Sequence, residues 1–251
     1  MNIVTALLKT SIGKKIIMAL TGAVLIGFII GHLVGNLQIF SDPEKINAYA
    51  HFLQGLGPAL WLIRLFLLLC VGLHIWMAVL LWCENKKARS QSYTASHTIQ
   101  ASYASRTMKY SGFIVLAFIL YHLAHFTVKA TNPEYNEMMW TLADGTVVPD
   151  VHLMMVAGFS SLTVSLFYLI SVGLLSFHLS HGFQSMFQSV GLRTETWGRA
   201  LKVISIVLSL AYFAGNAVIP LSVLTGKVSR PDSSIEAVAE SVSSHLNTPS
   251  G

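Results

Sequence analysis

Charge is what this sequence has least of. Only 11% of its 251 residues are Asp, Glu, Lys or Arg, while 53% are hydrophobic. A soluble domain carries roughly 25% charged residues, so this chain cannot cover a water-exposed globule of its size. That excludes an ordinary cytosolic enzyme, a nucleic-acid-binding domain and a disordered protein. Cysteine is nearly absent as well. Cys70 and Cys83 are too few for a disulfide framework. They fall on one predicted helix, roughly 20 Å apart along its axis, which is beyond disulfide reach. Neither belongs to a CxxC motif, so a thiolate set for an iron–sulfur cluster is missing.

Long apolar runs are abundant. Mean hydropathy is +0.62, and five segments reach the 20 or so apolar residues that a membrane span needs: 16–39, 58–82, 110–130, 153–177 and 200–224. No stretch shows strand alternation with turn signals. Met1 to Lys15 is amphipathic, and the run starting at Ile16 is too long for a signal-peptide core, so it reads as a retained first span. Pro220 is expected to kink or stop the fifth segment. Residues 228–251 are polar and read as a disordered tail after a membrane domain covering 1–227.

The net charge of +5 is distributed as positive-inside loops rather than as a nucleic-acid footprint. Lys9, Lys14 and Lys15 precede the first span. Lys86, Lys87, Arg89, Arg106 and Lys109 fill the second loop, and Arg193, Arg199 and Lys202 the fourth. The first loop is weakly charged. The third is acidic, with Glu134, Glu137, Asp144 and Asp150. The expected protein is therefore an all-α bundle of five transmembrane helices, with a cytoplasmic N-terminus and an external C-terminus.

Ten histidines are many for so apolar a chain. His97 and His245 fall in polar segments. His51 and His152 lie near the outer ends of spans two and four. His32, His74, His122, His125, His178 and His181 lie in or at the ends of four spans. One such histidine is as readily an interhelical hydrogen bonder as a ligand. Four consecutive spans each carrying one favour function, because ionisable groups at membrane depth are expensive. Spans one and three run outward, so His32 and His122 lie toward the outer side. Spans two and four run inward, which puts His74 and His178 toward the cytoplasm. Two levels result, separated by on the order of 15 Å. One imidazole from each side at each level makes two bis-histidine b-type haem sites. Zinc fits less well, since it gathers about four ligands at one point. Gly27, Gly31, Gly35, Gly72, Gly173 and Gly182 would admit a ring close to the backbone, or equally would pack helix on helix. Arg64 is a candidate partner for a haem propionate, with headgroup snorkelling as its alternative.

Three segments then carry a resemblance. Ser11-Ile-Gly-Lys-Lys-Ile-Ile-Met-Ala-Leu-Thr-Gly22, Gly31-His-Leu-Val-Gly-Asn-Leu-Gln38 and Phe177-His-Leu-Ser-His-Gly-Phe-Gln184 are similar to the cytochrome b subunit of bacterial succinate dehydrogenases and fumarate reductases, in its five-span dihaem form. The 42-residue spacing of His32 and His74 fits as well. The resemblance spans residues 8–226. It implies a subunit of a succinate:quinone oxidoreductase (respiratory complex II) in the bacterial cytoplasmic membrane. His74 and His178 would hold the proximal haem b, and His32 and His122 the distal one. His125 and His181 stand as the alternative ligands in their spans. It also implies a flavoprotein partner with FAD, an iron–sulfur partner, and a quinone, usually menaquinone. Dicarboxylate chemistry would sit on the flavoprotein, and this chain shows no catalytic residues for it. Some relatives carry a glutamate two residues before the fourth ligand for transmembrane proton movement. That position is Ser176 here, so this feature does not carry over.

Two other readings remain. A nitrate-reductase-type dihaem cytochrome places two histidines on each of two helices, unlike the one-per-span pattern here. A metal or proton transporter using a histidine relay would often show internal repeats and broken helices, and no persuasive repeat is present. The sequence leaves the direction of electron flow and the quinone site unassigned.

Overall fold

The computed structural model describes residues 2–88 and 103–229. Its helices are α1 (Ile3–Lys9), α2 (Ser11–Asn36), α3 (Pro43–Gly55), α4 (Pro58–Lys87), α5 (Tyr103–His122), α6 (Val151–Ser160), α7 (Leu162–Ser189) and α8 (Glu195–Leu224). Five apolar helical stretches are long enough to cross a membrane: Ser11–Phe40, Pro58–Lys87, Tyr110–Thr127, Leu162–Ser189 and Glu195–Leu224. The chain is an all-α, multi-pass membrane protein. Its surface agrees with that. α4 buries Cys70, Met77 and Leu81 along one stripe, yet Trp61, Leu62, Leu65, Phe66, Leu69 and Trp76 are exposed on it. Such apolar exposure is unfavourable in water and ordinary against lipid. Both cysteines lie on α4 as free thiols.

The chain forms two compact units. The first comprises Met1–Gly31, Pro58–Gly112 and Leu175–Tyr212. Small hydroxyls join its helices. Ser205 of α8 is fully buried. It accepts the Gln184 side-chain amide of α7 at 2.8 Å and donates to the Lys202 carbonyl. Lys14, almost fully buried, pairs with half-exposed Glu84.

The second unit comprises His32–Gly57, Phe113–Leu174 and Phe213–Gly251. Asp42 starts α3 by accepting the Glu44 amide at 2.8 Å, with Pro43 in the first turn. Asp150 starts α6 by accepting the Leu153 amide at 2.9 Å. These are N-caps of the ordinary kind. Fully buried Asn47 ties α3 to α6: its amide donates to Asp150 at 3.0 Å, and its oxygen accepts the His152 amide at 3.1 Å. Glu44 accepts the Trp140 indole at 2.7 Å and the Ala143 amide at 2.8 Å. Tyr135, Met138, Leu153 and Met154 form the apolar centre beneath these contacts.

Three expectations change. A small hairpin exists: β1 (Met139–Thr141) pairs antiparallel with β2 (Val147–Pro149), Trp140 opposite Val148. Three-residue strands are too short to display a period. Asp144-Gly145 was the available turn signal, and Gly145 takes φ +87° at the tip. The fourth span starts at Leu162, not 153, and runs to Ser189. The apolar run is continuous, so hydropathy cannot see the break. It is made at Ser161, whose backbone is extended. The Ser165 hydroxyl then takes up the Phe159 carbonyl at 2.7 Å. His152 lies on α6 and His51 on α3, the helices that precede spans four and two. Finally, of the kink or stop expected at Pro220, the stop is excluded, since α8 continues to Leu224. His97, Arg89, His245 and the polar tail from 230 onward lie outside the described residues.

Candidate functional site

The six intramembrane histidines separate into two sets, one in each unit. In the first unit α4 supplies His74 and α7 supplies His178. Their ring centroids are 6.4 Å apart, at 60° to each other. In the second unit α2 supplies His32 and α5 supplies His122, its last residue. These centroids are 5.7 Å apart, with the rings at 85°. Among the described residues, no three His, Cys, Asp or Glu side chains converge as a metal cluster. Four of the six histidines come as neighbouring twos.

Neighbouring oxygens orient these rings. The Nδ1 of His74 lies 3.1 Å from the Met18 carbonyl and 3.3 Å from the Thr21 hydroxyl of α2. The Thr21 hydroxyl donates onward to the Ile17 carbonyl at 2.8 Å. The Nδ1 of His178 lies 3.4 Å from the Ser111 hydroxyl of α5, which donates to the Met108 carbonyl at 3.0 Å. The Nδ1 of His122 lies 3.4 Å from the Tyr168 hydroxyl of α7. An imidazole that donates from Nδ1 keeps its lone pair on Nε2, and this arrangement fixes tautomer and orientation at ligating histidines.

Do these pairs fit haem iron? With metal–nitrogen bonds of about 2 Å, two opposed imidazoles place their ring centroids about 6 Å apart. The separations of 6.4 and 5.7 Å lie within about half an ångström of that value. The backbone also leaves room. A Cβ at Gly22 would meet His74 Cε1 at 3.3 Å, and one at Gly112 would meet His178 Cε1 at 3.8 Å. At Gly27, Gly31 and Gly72 a Cβ would meet nothing within 4 Å. The other glycines do meet side chains: Gly35 faces Tyr49, Gly173 faces Phe213 and Gly182 faces Met108.

The two alternative ligands are placed differently. His125 is buried to 1% exposure, and both of its nitrogens are engaged. Nδ1 lies 3.1 Å from the Tyr168 hydroxyl and Nε2 lies 3.2 Å from the Tyr135 hydroxyl. It sits in a π-helical turn, Leu123–Thr127, that closes α5. His181 is half-buried one turn beyond His178, and the ring facing His74 is that of His178. Arg64 is half-buried on α4, with its guanidinium 5.0 Å from the Trp61 ring centroid.

Outside the spans, burial pushes the Tyr135 hydroxyl above the ordinary phenol range and Lys129 below the ordinary amine range. Tyr135 therefore stays protonated beside His125, and Lys129 donates to the Tyr135 carbonyl at 3.1 Å. Thr21, Ser111, Tyr135 and Tyr168 were not singled out from the sequence. The available signal was a polar group within or beside an apolar run, which must find a partner at that depth.

Compared with protein-family models, with curated proteins and with solved structures, the chain matches none.

Proposed function

We propose that this chain is the dihaem cytochrome b anchor of a succinate:quinone oxidoreductase, and that it passes electrons between an iron–sulfur partner and a quinone. One observation carries the reading: two facing histidine pairs, each drawn from two different helices, with centroid separations of 6.4 and 5.7 Å. The three segment resemblances supply the family. In this reading His74 and His178 hold the haem b nearer the partner subunits, while His32 and His122 hold the other. When bound, haem b supplies one-electron transfer.

The residues of this chain do the rest. Met18, Thr21, Ser111 and Tyr168 hold the imidazoles in one tautomer. Apolar helix surface around them keeps the dielectric low, which raises the weight of each hydrogen bond. Arg64 remains the candidate counter-charge for a haem carboxylate. Succinate or fumarate chemistry belongs to the FAD-carrying partner, and menaquinone is the quinone the family usually uses. Loop charges place the N-terminus in the bacterial cytoplasm and the C-terminus outside.

Haem b per polypeptide in the purified membrane complex, measured by pyridine haemochrome, tests this directly. The expected value is near two, with reduction on adding succinate. A value near zero from haem-supplied cells overturns the proposal and leaves the histidine-relay transporter standing. Two haems that succinate does not reduce would instead point to a different quinone-reactive dihaem cytochrome.

A further inference from the structure

Among the described residues His125 is the most buried histidine of the second unit, yet the proposed function gives it no task. Its surroundings are unusually complete. Phe126 packs on its ring at 4.0 Å between centroids, and Tyr121, Tyr135 and Tyr168 surround it at 5.4 to 5.8 Å. Gly158 of α6 comes so close that a Cβ there would lie 3.1 Å from His125 Cε1. A π-helical turn of this kind is rare and concentrates at functional sites.

The hydrogen bonds around it can be drawn in one consistent direction. The Tyr168 hydroxyl lies between two Nδ1 atoms, that of His122 at 3.4 Å and that of His125 at 3.1 Å. A hydroxyl has one proton to donate. If Tyr168 donated to His122, the His122 proton would sit on Nε2, and that ring could not ligate. The assignment that leaves His122 Nε2 with its lone pair has His122 Nδ1–H donating to Tyr168, whose own proton is then available to His125 Nδ1. His125 is then protonated on Nε2 and donates to the Tyr135 hydroxyl at 3.2 Å.

We propose that Tyr168, His125 and Tyr135 form a directed hydrogen-bond chain that holds His122 in its ligating tautomer, with Tyr168 and His125 as positioning residues. This rests on His122 being a haem ligand, as argued above. The chain runs from α5 through α7 to the 3-10 turn Pro133–Asn136. It makes that loop part of the site's support. Tyr168 as acceptor raises the basicity of His122, and a more basic ligand favours the oxidised iron.

The test uses the whole membrane complex in five forms: wild type, Tyr168→Phe, His125→Leu, His125→Gln and Tyr135→Phe. Each haem is followed by optical redox titration and by its low-spin electron paramagnetic resonance signal. In Tyr168→Phe and His125→Leu the midpoint potential of one haem should rise and its signal should shift, while the other haem keeps both. Haem affinity at that one site should fall on the order of 10- to 100-fold. His125→Gln, whose amide can both accept from Tyr168 and donate to Tyr135, should restore the wild-type values. Tyr135→Phe should give a smaller shift of the same sign. A role in packing alone would lower thermal stability without moving one potential selectively. Unmoved potentials in Tyr168→Phe, or equal shifts of both haems, overturn the chain while leaving the dihaem function intact. A wild-type complex without haem overturns both.

Discussion

Replacing Gly158 by alanine would force one added carbon into space that two rings already hold. The new Cβ would lie 2.9 Å from Cε1 and Cζ of Phe126 and 3.1 Å from Cε1 of His125. Ordinary contact begins near 3.4 Å, so Phe126 would have to retreat by about half an ångström. It has little room for that. Its ring stacks on Tyr135 at 6.3 Å and packs against Phe159 at 5.5 Å and Tyr168 at 5.8 Å. His125 is pinned by its two tyrosine hydrogen bonds. Overpacking of this kind costs about 1–3 kcal/mol. Alanine in a helix returns about 1 kcal/mol relative to glycine, so the expected net loss is about 1 kcal/mol, or about 2–4 °C in Tm for a chain of this length. Thermal unfolding of the detergent-solubilised protein measures it. Phe126→Leu removes the two ring atoms that clash. The double variant should therefore be more stable than the sum of the two single changes, by roughly 0.5 kcal/mol or more. Gly55→Ala, at a site where a Cβ meets nothing within 4 Å, is the control and should not lower Tm. An unchanged or raised Tm for Gly158→Ala, or strict additivity with Phe126→Leu, would refute the packing described for this cluster.

Alanine at His74 or His178 should remove one haem signal and spare the other, and alanine at His32 or His122 should do the reverse; haem spectra of the purified variants check this, and a variant retaining both signals removes that residue from the ligand set. Asn47→Ala would leave a buried carboxylate and a backbone amide short of a partner. It should destabilise by about 2–4 kcal/mol, read as a lower Tm together with faster proteolysis within 133–150. Glu84→Gln leaves buried Lys14 without its counter-charge and should cost about 1–3 kcal/mol, between the exposed and buried limits for ion pairs. Adding Lys14→Met should recover much of that loss, and a double variant worse than Glu84→Gln would contradict the pairing. For orientation, Asp144→Cys at the hairpin tip, in a Cys83→Ser background, should react with a membrane-impermeant maleimide added to intact cells. Labelling only after lysis would reverse the topology.

The number of spans was legible because length and apolarity are summed over twenty residues, and no single position decides them. The ends were not. Ser161 breaks an apolar run that continues on both sides, and what makes the break is a local exchange of hydrogen bonds. Moving the start of the fourth span from 153 to Leu162 nevertheless left His178 facing His74. The pairing argument used only direction and relative depth, and a helix that slides its boundary keeps the angular positions of its residues. The hairpin escaped notice for the opposite reason, since three-residue strands give a periodic signal too few positions to repeat.

The choice between His122 and His125 shows where sequence reasoning stops. Three residues on one helix differ by about 60° in facing, and no pattern within residues 110–130 says which ring is spent elsewhere. That information sits at positions 135 and 168, on other elements, and takes effect only when the chain has folded. Tyr135 and Tyr168 occupy both nitrogens of His125, whereas the Nδ1 of His122 lies by the Tyr168 hydroxyl and its ring lies beside that of His32. On the proposed dihaem reading this difference favours His122 over His125, because a ring with both nitrogens engaged has none to offer a metal.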